Sequence, residues 1–265
     1  MLADTHSHTC FSDGADSPQA MVEAAELAGL DLLCITDHLT LPVWLDPRAE
    51  CSVAEKDLPL WRLEITEAAA RASIPVLWGA ECDWYEGCEP LIERWSQGVQ
   101  MRLGSVHWVD GRPIDDPEDL SFWEDEGPDI VWQRYVEAWC AACESPADFD
   151  TMAHPDLPAR FWHEGYAPSI DLEPLYKTMA ECAHDTHRRI EVSTALLRKG
   201  GKRLYPDTPL LKHFSDAQVP VTFGSDAHRA RDVGADLTEA HRVAWDLGYR
   251  FQEVPSIEGW RSVAL

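Results

Sequence analysis

The chain has 265 residues, 45% hydrophobic and 26% charged, which is the composition of an ordinary globular protein and leaves room for one large α/β domain. Its formal charge of −25, from 47 acidic against 22 basic side chains, argues against non-specific binding to nucleic acid or to an anionic membrane surface. No apolar run approaches the length that spans a bilayer, no signal-type segment opens the chain, and eight cysteines lie scattered without a secreted-scaffold spacing, so a cytoplasmic protein with reduced thiols is expected.

The short apolar lead Met1-Leu2-Ala3 predicts a first buried strand that delivers His6 and His8 at its C-terminal end. Residues two apart on an extended segment face the same side, so both imidazoles could reach one ion. A polar turn over Thr9–Ser17 leads into a helix with Ser17 as N-cap, Pro18 at its first position, Met21, Ala24, Ala25 and Ala28 on its inner face, and Gly29 as its C-terminal cap. Leu30–Ile35 is a nearly continuous apolar run, the pattern of a strand buried on both faces, and it ends in Thr36-Asp37-His38. An irregular loop over Leu39–Lys56 is expected to lie across the site.

Further units follow. A helix is predicted over Leu58–Ala72, a strand over Ile74–Ala80 ending at Glu81, a helix over Pro90–Gln97, and a strand over Met101–Val106 ending at His107. Asp110–Asp129 is a long acidic, tryptophan-containing excursion, and long ordered loops are often functional. The helix predicted over Ile130–Glu144 carries Cys140-Ala-Ala-Cys143, read as two thiols on a helix face rather than a redox or zinc site. A short strand over Phe149–Ala153 ends at His154. Then come a helix over Leu172–His187, a strand over Arg189–Ser193, a helix over Leu210–Ala217, and a strand over Pro220–Gly224 that runs into Asp226 and His228. The last helix spans about Asp236–Leu247 with Gly248 as cap. Strand and helix alternate in about seven units without a linker, which predicts a single α/β domain over residues 1–265. Its parallel sheet should close into a barrel, with active residues at the C-terminal strand ends.

The polar residues at those ends are His6, His8, Asp37, His38, Glu81, His107, His154, Asp226 and His228, with Asp13 on the first loop. Each alone has an ordinary explanation: a loop hydrogen bond for a histidine, a helix N-cap for Asp37 or Asp226, an arginine partner for Glu81. Together those explanations fail, because six of the 11 histidines fall at predicted strand ends, and buried charge must be paired or bound to metal. The other five, at 163, 184, 187, 213 and 241, are expected on the surface. A His/Asp/Glu set without cysteine suits zinc, manganese or iron, and it exceeds what one ion can hold, so two or three divalent ions are expected with Glu81 as the bridge. Clustered divalent ions favour phosphoester hydrolysis, with metal-dependent amide or lactone hydrolysis as the rival chemistry.

The segments His6-Ser7-His8-Thr9, Ser12-Asp13-Gly14, Thr36-Asp37-His38, Gly79-Ala80-Glu81, Gly104-Ser105-Val106-His107, His154-Pro155-Asp156 and Gly224-Ser225-Asp226-Ala227-His228 resemble the PHP (polymerase and histidinol phosphatase) superfamily, in its order and over nearly the whole chain. The stretches 154–161 and 191–199 further resemble the monofunctional histidinol-phosphate phosphatases. The resemblance implies a distorted (βα)7 barrel with a trinuclear site: His6, His8, Glu81 and Asp226 on one metal, Glu81, His107 and His154 on a second, Asp13, His38 and His228 on a third. It gives Asp37 the task of orienting a ligand or water. Asp13 stands where many members have histidine, and Ser193 where the subfamily commonly has asparagine.

The implied reaction is hydrolysis of L-histidinol phosphate in histidine biosynthesis, by attack of a metal-bridging hydroxide on phosphorus. Arg160 and Arg198 would grip the phosphate, with Lys199 beside them. Carboxylates of the acidic excursion (Asp115, Asp116, Asp119) would face the cationic end of the substrate. Alternatives are a phosphatase or phosphodiesterase for another small ester, with a nuclease disfavoured by the missing basic stripe, and a non-catalytic metal-binding PHP module. That last reading needs missing ligands and a fused partner, whereas the donor set is complete and the chain ends soon after its last helix. The expected partner is a small phosphorylated substrate, not nucleic acid or membrane; the sequence leaves the oligomeric state open.

Overall fold

A strand buried on both faces must be followed by a covering helix that returns the chain, and repetition of that unit gives a parallel sheet. In a computed structural model, which describes residues 1–42 and 44–265, the strands are β1 (Ala3–Asp4), β2 (Leu32–Ile35), β3 (His38–Leu39), β4 (Val76–Asp83), β5 (Met101–Ser105), β6 (Trp108–Val109), β7 (Arg112–Pro113), β8 (Thr151–Met152), β9 (Arg189–Ser193), β10 (Val221–Gly224), β11 (Phe251–Ser256) and β12 (Gly259–Ala264). The helices are α1 (Pro18–Leu27), α2 (Leu58–Arg71), α3 (Glu89–Trp95), α4 (Ser121–Glu126), α5 (Pro128–Glu144), α6 (Glu173–Asp185), α7 (Ala195–Arg198), α8 (Thr208–Asp216) and α9 (Leu237–Asp246).

The main sheet runs β1-β2-β4-β5-β8-β9-β10, with every neighbouring pair parallel. Its two edges meet. The Thr5 N–H donates to Phe223 O at 3.0 Å, and Ser7 bridges Ala227 in the parallel sense. This is the expected distorted (βα)7 barrel. The first unit forms as its sequence predicts: Ser17 caps α1 by accepting from the Ala20 N–H at 3.3 Å, and α1 buries Met21, Val22 and Ala25.

Period-two alternation sorts the strand side chains. On β4, Trp78, Ala80 and Cys82 pack into the core shared with the helices, while Leu77 joins Met101 and Leu103 of β5 in a separate apolar cluster inside the barrel. Ala3, Leu32, Cys34, Ala153 and Val254 complete that cluster. Val254 comes from an antiparallel hairpin, β11–β12, paired from Phe251↔Ala264 to Ser256↔Gly259. The sequence pattern predicts a fold that ends at the last helix, and this hairpin corrects that expectation. Its alternation is weak, with Pro255 in one strand and a mostly exposed second strand. It is fastened to the barrel by Gln252 Nε2 donating to Met1 O (2.8 Å), by Trp260 Nε1 donating to Asp150 Oδ1 (3.2 Å), and by the Arg189 guanidinium 4.0 Å from the Trp260 ring centre.

The acidic excursion over Asp110–Asp129 is also more ordered than predicted. β6 and β7 pair across Asp110-Gly111, both with positive φ (53° and 74°), the signature of a two-residue hairpin turn. α4 then buries Phe122 and Trp123. The loop predicted over Leu39–Lys56 begins with β3, which pairs with β4; it includes Val43, which lies outside the described residues. Among the described residues no helix is long and apolar enough to cross a membrane.

Candidate metal centre

His6 and His8 follow β1 and are fully buried, their Nε2 atoms 2.9 Å apart. Glu81, near the end of β4, lies among five imidazoles. Its Oε2 is 3.0 Å from His6 Nε2, 3.3 Å from His8 Nε2 and 3.2 Å from His38 Nδ1; its Oε1 is 3.0 Å from His154 Nε2 and 3.7 Å from His107 Nε2. Asp226 Oδ1 is 3.3 Å from His8 Nε2 and 3.4 Å from His228 Nδ1. Asp13 Oδ2 is 3.1 Å from His228 Nε2 and 3.9 Å from His38 Nε2. The donors group as His8-Asp13-His38-His228, His6-His8-Glu81 and His38-Glu81-His107. Compared with the sets the resemblance implies, His8 joins the third group, and His38 stands with Glu81 and His107 where His154 was expected. His154 and Asp226 adjoin these groups through Glu81 and His8.

The surrounding chain explains these positions. Glu191, inside β9, takes the His6 Nδ1–H (2.8 Å) on one oxygen and the His154 backbone N–H (3.0 Å) on the other. Gly224 on β10 is obligatory beside it, since a Cβ there would lie 2.1 Å from Glu191 Oε1 and 2.5 Å from His6 Cβ. Asp226 adopts a left-handed backbone (φ 51°) with its N–H donating to His6 O at 2.9 Å. Asp37 does not point into the cluster. It accepts from the Thr9 N–H (2.6 Å), Thr9 Oγ1 (2.8 Å), Ser12 Oγ (2.6 Å) and Trp61 Nε1 (2.8 Å), and so pins the loop between His8 and Asp13.

Asp83 and Glu191 belong to the site and escaped the sequence reading. Asp83 Oδ1 is 2.5 Å from His107 Nδ1, and Oδ2 is 3.5 Å from His38 Nδ1. Glu81-Cys82-Asp83 has the same i, i+2 spacing as His6-Ser7-His8, but the apolar pattern predicts a strand only to Ala80, while β4 runs to Asp83. For Glu191 the available signal was a carboxylate in the middle of a buried strand.

Burial disfavours charge on Glu81, Asp83, His6 and His107, and in each the opposite charges around it outweigh burial. Glu81 is held well below the usual carboxylate range because His38 and His6 overcome its desolvation. His6 is desolvated yet raised well above its ordinary value by Glu191 and Glu81, and His107, desolvated likewise, is pushed up to about 9 by Asp83. These are sites where protons and a cation compete for the same lone pairs. His8 Nδ1, His38 Nδ1, His154 Nδ1 and Asp83 Oδ2 are buried and have no hydrogen-bond partner. With Glu191 taking the Nδ1–H, the His6 Nε2 lone pair turns toward the cluster, an orientation typical of metal-binding histidine. Converging imidazole and carboxylate donors without sulfur fit divalent transition ions.

Above the donors lies a cavity of about 890 Å³. Arg160, Arg198, Lys199, Asp115 and Asp116 line it, with Leu41, Leu45, Asp46 and Cys51 from the overlying loop. Arg160 sits in the 3-10 segment Leu157–Glu164, its Nε buried and without a partner. Arg198 is partly committed to the fold, donating to Thr194 Oγ1 (3.0 Å) and to the carbonyls of Ser225 and Asp226. Lys199 Nζ lies 3.4 Å from Asp226 Oδ2, so it pairs with a carboxylate expected to bind metal rather than standing free for substrate. Asp119 is not in the cavity lining; its carboxylate accepts from the Ser121 N–H at 3.1 Å. Of the five histidines expected on the surface, His163, His184 and His187 are exposed. His213 is half-buried against Glu173 (3.0 Å), and His241 packs on the Phe223 ring, 4.3 Å between centres.

The same architecture and sequence pattern occur elsewhere. A protein of Deinococcus radiodurans named as a probable histidinol-phosphatase is 30% identical over 261 residues, 94% of this chain and 95% of its own. One of Thermotoga maritima with the same name is 26% identical over 255 residues, 96% and 95% of the two chains. A crystal structure of histidinol phosphate phosphatase from Lactococcus lactis, in complex with zinc, L-histidinol and phosphate, superimposes with a TM-score of 0.81 over 98% of each chain at 20% identity, a likeness of fold. The family model for the PHP domain matches residues 4–195, the span holding His6, His8, Asp13, His38, Glu81, His107 and His154. With a parallel seven-stranded barrel carrying those donors at its strand ends, the chain belongs to the PHP domain family.

Proposed function

We propose that residues 1–265 act as one PHP-type phosphoesterase domain, a metal-dependent phosphomonoesterase that hydrolyses L-histidinol phosphate to L-histidinol and phosphate in cytoplasmic histidine biosynthesis. The observation that carries this reading is one cavity holding both the His/Asp/Glu cluster and the Arg160 guanidinium, whose buried Nε has no partner. A phosphate dianion matches both features, and a neutral amide or lactone needs no such cation. The names of the two curated relatives, and the ligands of the Lactococcus protein, support the choice of substrate.

His6, His8, Glu81 and Asp226 would hold one ion, Glu81 with His107 and His154 a second, and Asp13, His38 and His228 a third, giving two or three zinc, manganese or iron ions. When bound, such ions would supply hydroxide at neutral pH and offset the charge of the phosphoryl group. Glu191 and Asp83 orient His6 and His107 from behind, and Asp37 fixes the loop that carries Asp13. Arg160 binds the phosphoryl oxygens. Arg198 holds the Asp226 backbone in place from the edge of the same cavity, with Lys199 against the Asp226 carboxylate. Asp115 and Asp116 face the ammonium and imidazole of the leaving alcohol.

The test is phosphate release by metal-loaded protein from L-histidinol phosphate, glycerol phosphate, AMP and p-nitrophenyl phosphate. A kcat/KM at least tenfold higher for histidinol phosphate is expected. Equal rates across the panel would leave a phosphatase of another specificity, and no phosphate release would reject the reading.

A further inference from the structure

Far from the cavity, the Cys140-Ala-Ala-Cys143 pair on the last turns of α5 meets a third cysteine, Cys182, on the neighbouring helix α6. The Cys182 thiol lies 3.6 Å from Cys140 O, and the Cys140 and Cys143 thiols are the neighbours that act most strongly on its charge. Cys143 is buried, while Cys140 and Cys182 are half-exposed. Arg188 stands beside the group. Its guanidinium donates to Cys143 O (2.9 Å), Ser145 O (3.1 Å) and Phe149 O (2.7 Å), which fixes a positive charge over the end of α5. Glu144 at the end of α5 adds a negative charge that acts on Cys140.

We propose that Cys182 and Cys140 form an oxidation site at which a hydroperoxide closes a reversible disulfide between α6 and α5. As a thiol, Cys182 donates to the Cys140 carbonyl. Once it loses its proton, the two neighbouring S–H groups can donate to it instead. Those two contacts, with Arg188 adding to them against partial burial, hold the Cys182 thiol down to about 4. A thiolate with access to solvent and a second thiol in contact is the arrangement that oxidation selects.

The Cys182 sulfur attacks one peroxide oxygen and the O–O bond breaks. The sulfur becomes a sulfenic acid, and the remaining oxygen leaves as alcohol or water after taking up a proton. Cys140 then attacks that sulfur as it gives up its own proton, the S–O bond breaks, and hydroxide leaves as water. Two thiols and one hydroperoxide thus become one disulfide, one alcohol or water, and one further water.

Exposure alone would predict a different order of reaction. Cys10 and Cys51 are the exposed cysteines, and Cys51 is pushed up to about 11 by desolvation of its sulfur and by Asp46. The experiment treats reduced, metal-loaded protein with one equivalent of hydrogen peroxide, blocks the remaining thiols and maps the peptides by mass. The expected result is a Cys182–Cys140 linkage formed before Cys10 or Cys51 reacts, with two of the eight thiols lost and recovered on reduction. Cys140→Ser should leave Cys182 as a sulfenic acid that a dimedone probe captures, and Cys182→Ser should leave Cys140 unmodified at this dose. Oxidation of Cys10 or Cys51 ahead of Cys182, a linkage to Cys143 in place of Cys140, or an unreactive Cys182 in the wild-type protein would each overturn the assignment.

Discussion

On β4, the face that carries Leu77 into the lower barrel carries Glu81 and Asp83 at the upper end; on β5, Met101 and Leu103 are followed by Ser105 and, past the strand, His107. The alternation is the same at both ends, and only the residue type changes. Below, the interior is apolar and closed by Val254 of the hairpin. Above, it holds carboxylates and imidazoles under a cavity of about 890 Å³. Burying Leu103 removes apolar surface from water and stabilises the fold. Burying Glu81 costs free energy unless cations meet it, so the upper end is tolerated for its chemistry and the lower end holds the barrel together.

Substitutions at the two ends should therefore separate activity from stability. Glu81→Gln has the largest expected effect: a fall in kcat/KM of about a thousandfold or more, about 4 kcal/mol in transition-state terms, with the circular dichroism spectrum of the wild type. Activity near wild type would mean that Glu81 bridges nothing. At the lower end, Leu103→Ala should cost about 2–5 kcal/mol in denaturant unfolding and leave kcat per folded molecule unchanged. A fall in kcat without loss of stability there would break the contrast between the ends.

Arg160→Ala should lower kcat/KM by about 2–5 kcal/mol and weaken inhibition by inorganic phosphate, while Arg160→Lys restores only part because the planar fork is lost. Unchanged phosphate inhibition in both variants would remove the anion-binding role. Glu191→Gln is the mildest of the set. It keeps the shape and loosens the hold on His6, for a 10–100-fold loss of metal affinity in chelator competition; wild-type affinity would assign Glu191 to the fold alone.

Much of the upper end was legible in the sequence, because histidine and carboxylate stand out where an apolar run stops. His6, His8, His38, Glu81, His107, His154 and Asp226 needed only the rule that such residues cluster at C-terminal strand ends. Asp83 was hidden by ending β4 three residues early, and strand ends are poorly marked when the last turns of the pattern are polar. Glu191 was hidden by its place within a strand rather than at its end. Spacing put Arg198 and Lys199 at the right end of the barrel, but it carries no information about rotamers. That Arg198 spends donors on the Ser225 and Asp226 carbonyls is set by packing alone. The lower end was harder to read, since the β11–β12 hairpin alternates weakly and its value lies in one residue, Val254, reaching a cluster assembled from five other segments.

The central claim is that the upper-end donors form a multinuclear metal centre, and metal content tests it most directly. Protein purified in metal-replete medium and desalted should carry two or three equivalents of zinc, manganese or iron per chain by elemental analysis, and the Glu81→Gln variant one equivalent or fewer at the same protein concentration. A wild-type protein holding no more than one equivalent, or a variant holding as much as the wild type, would contradict it.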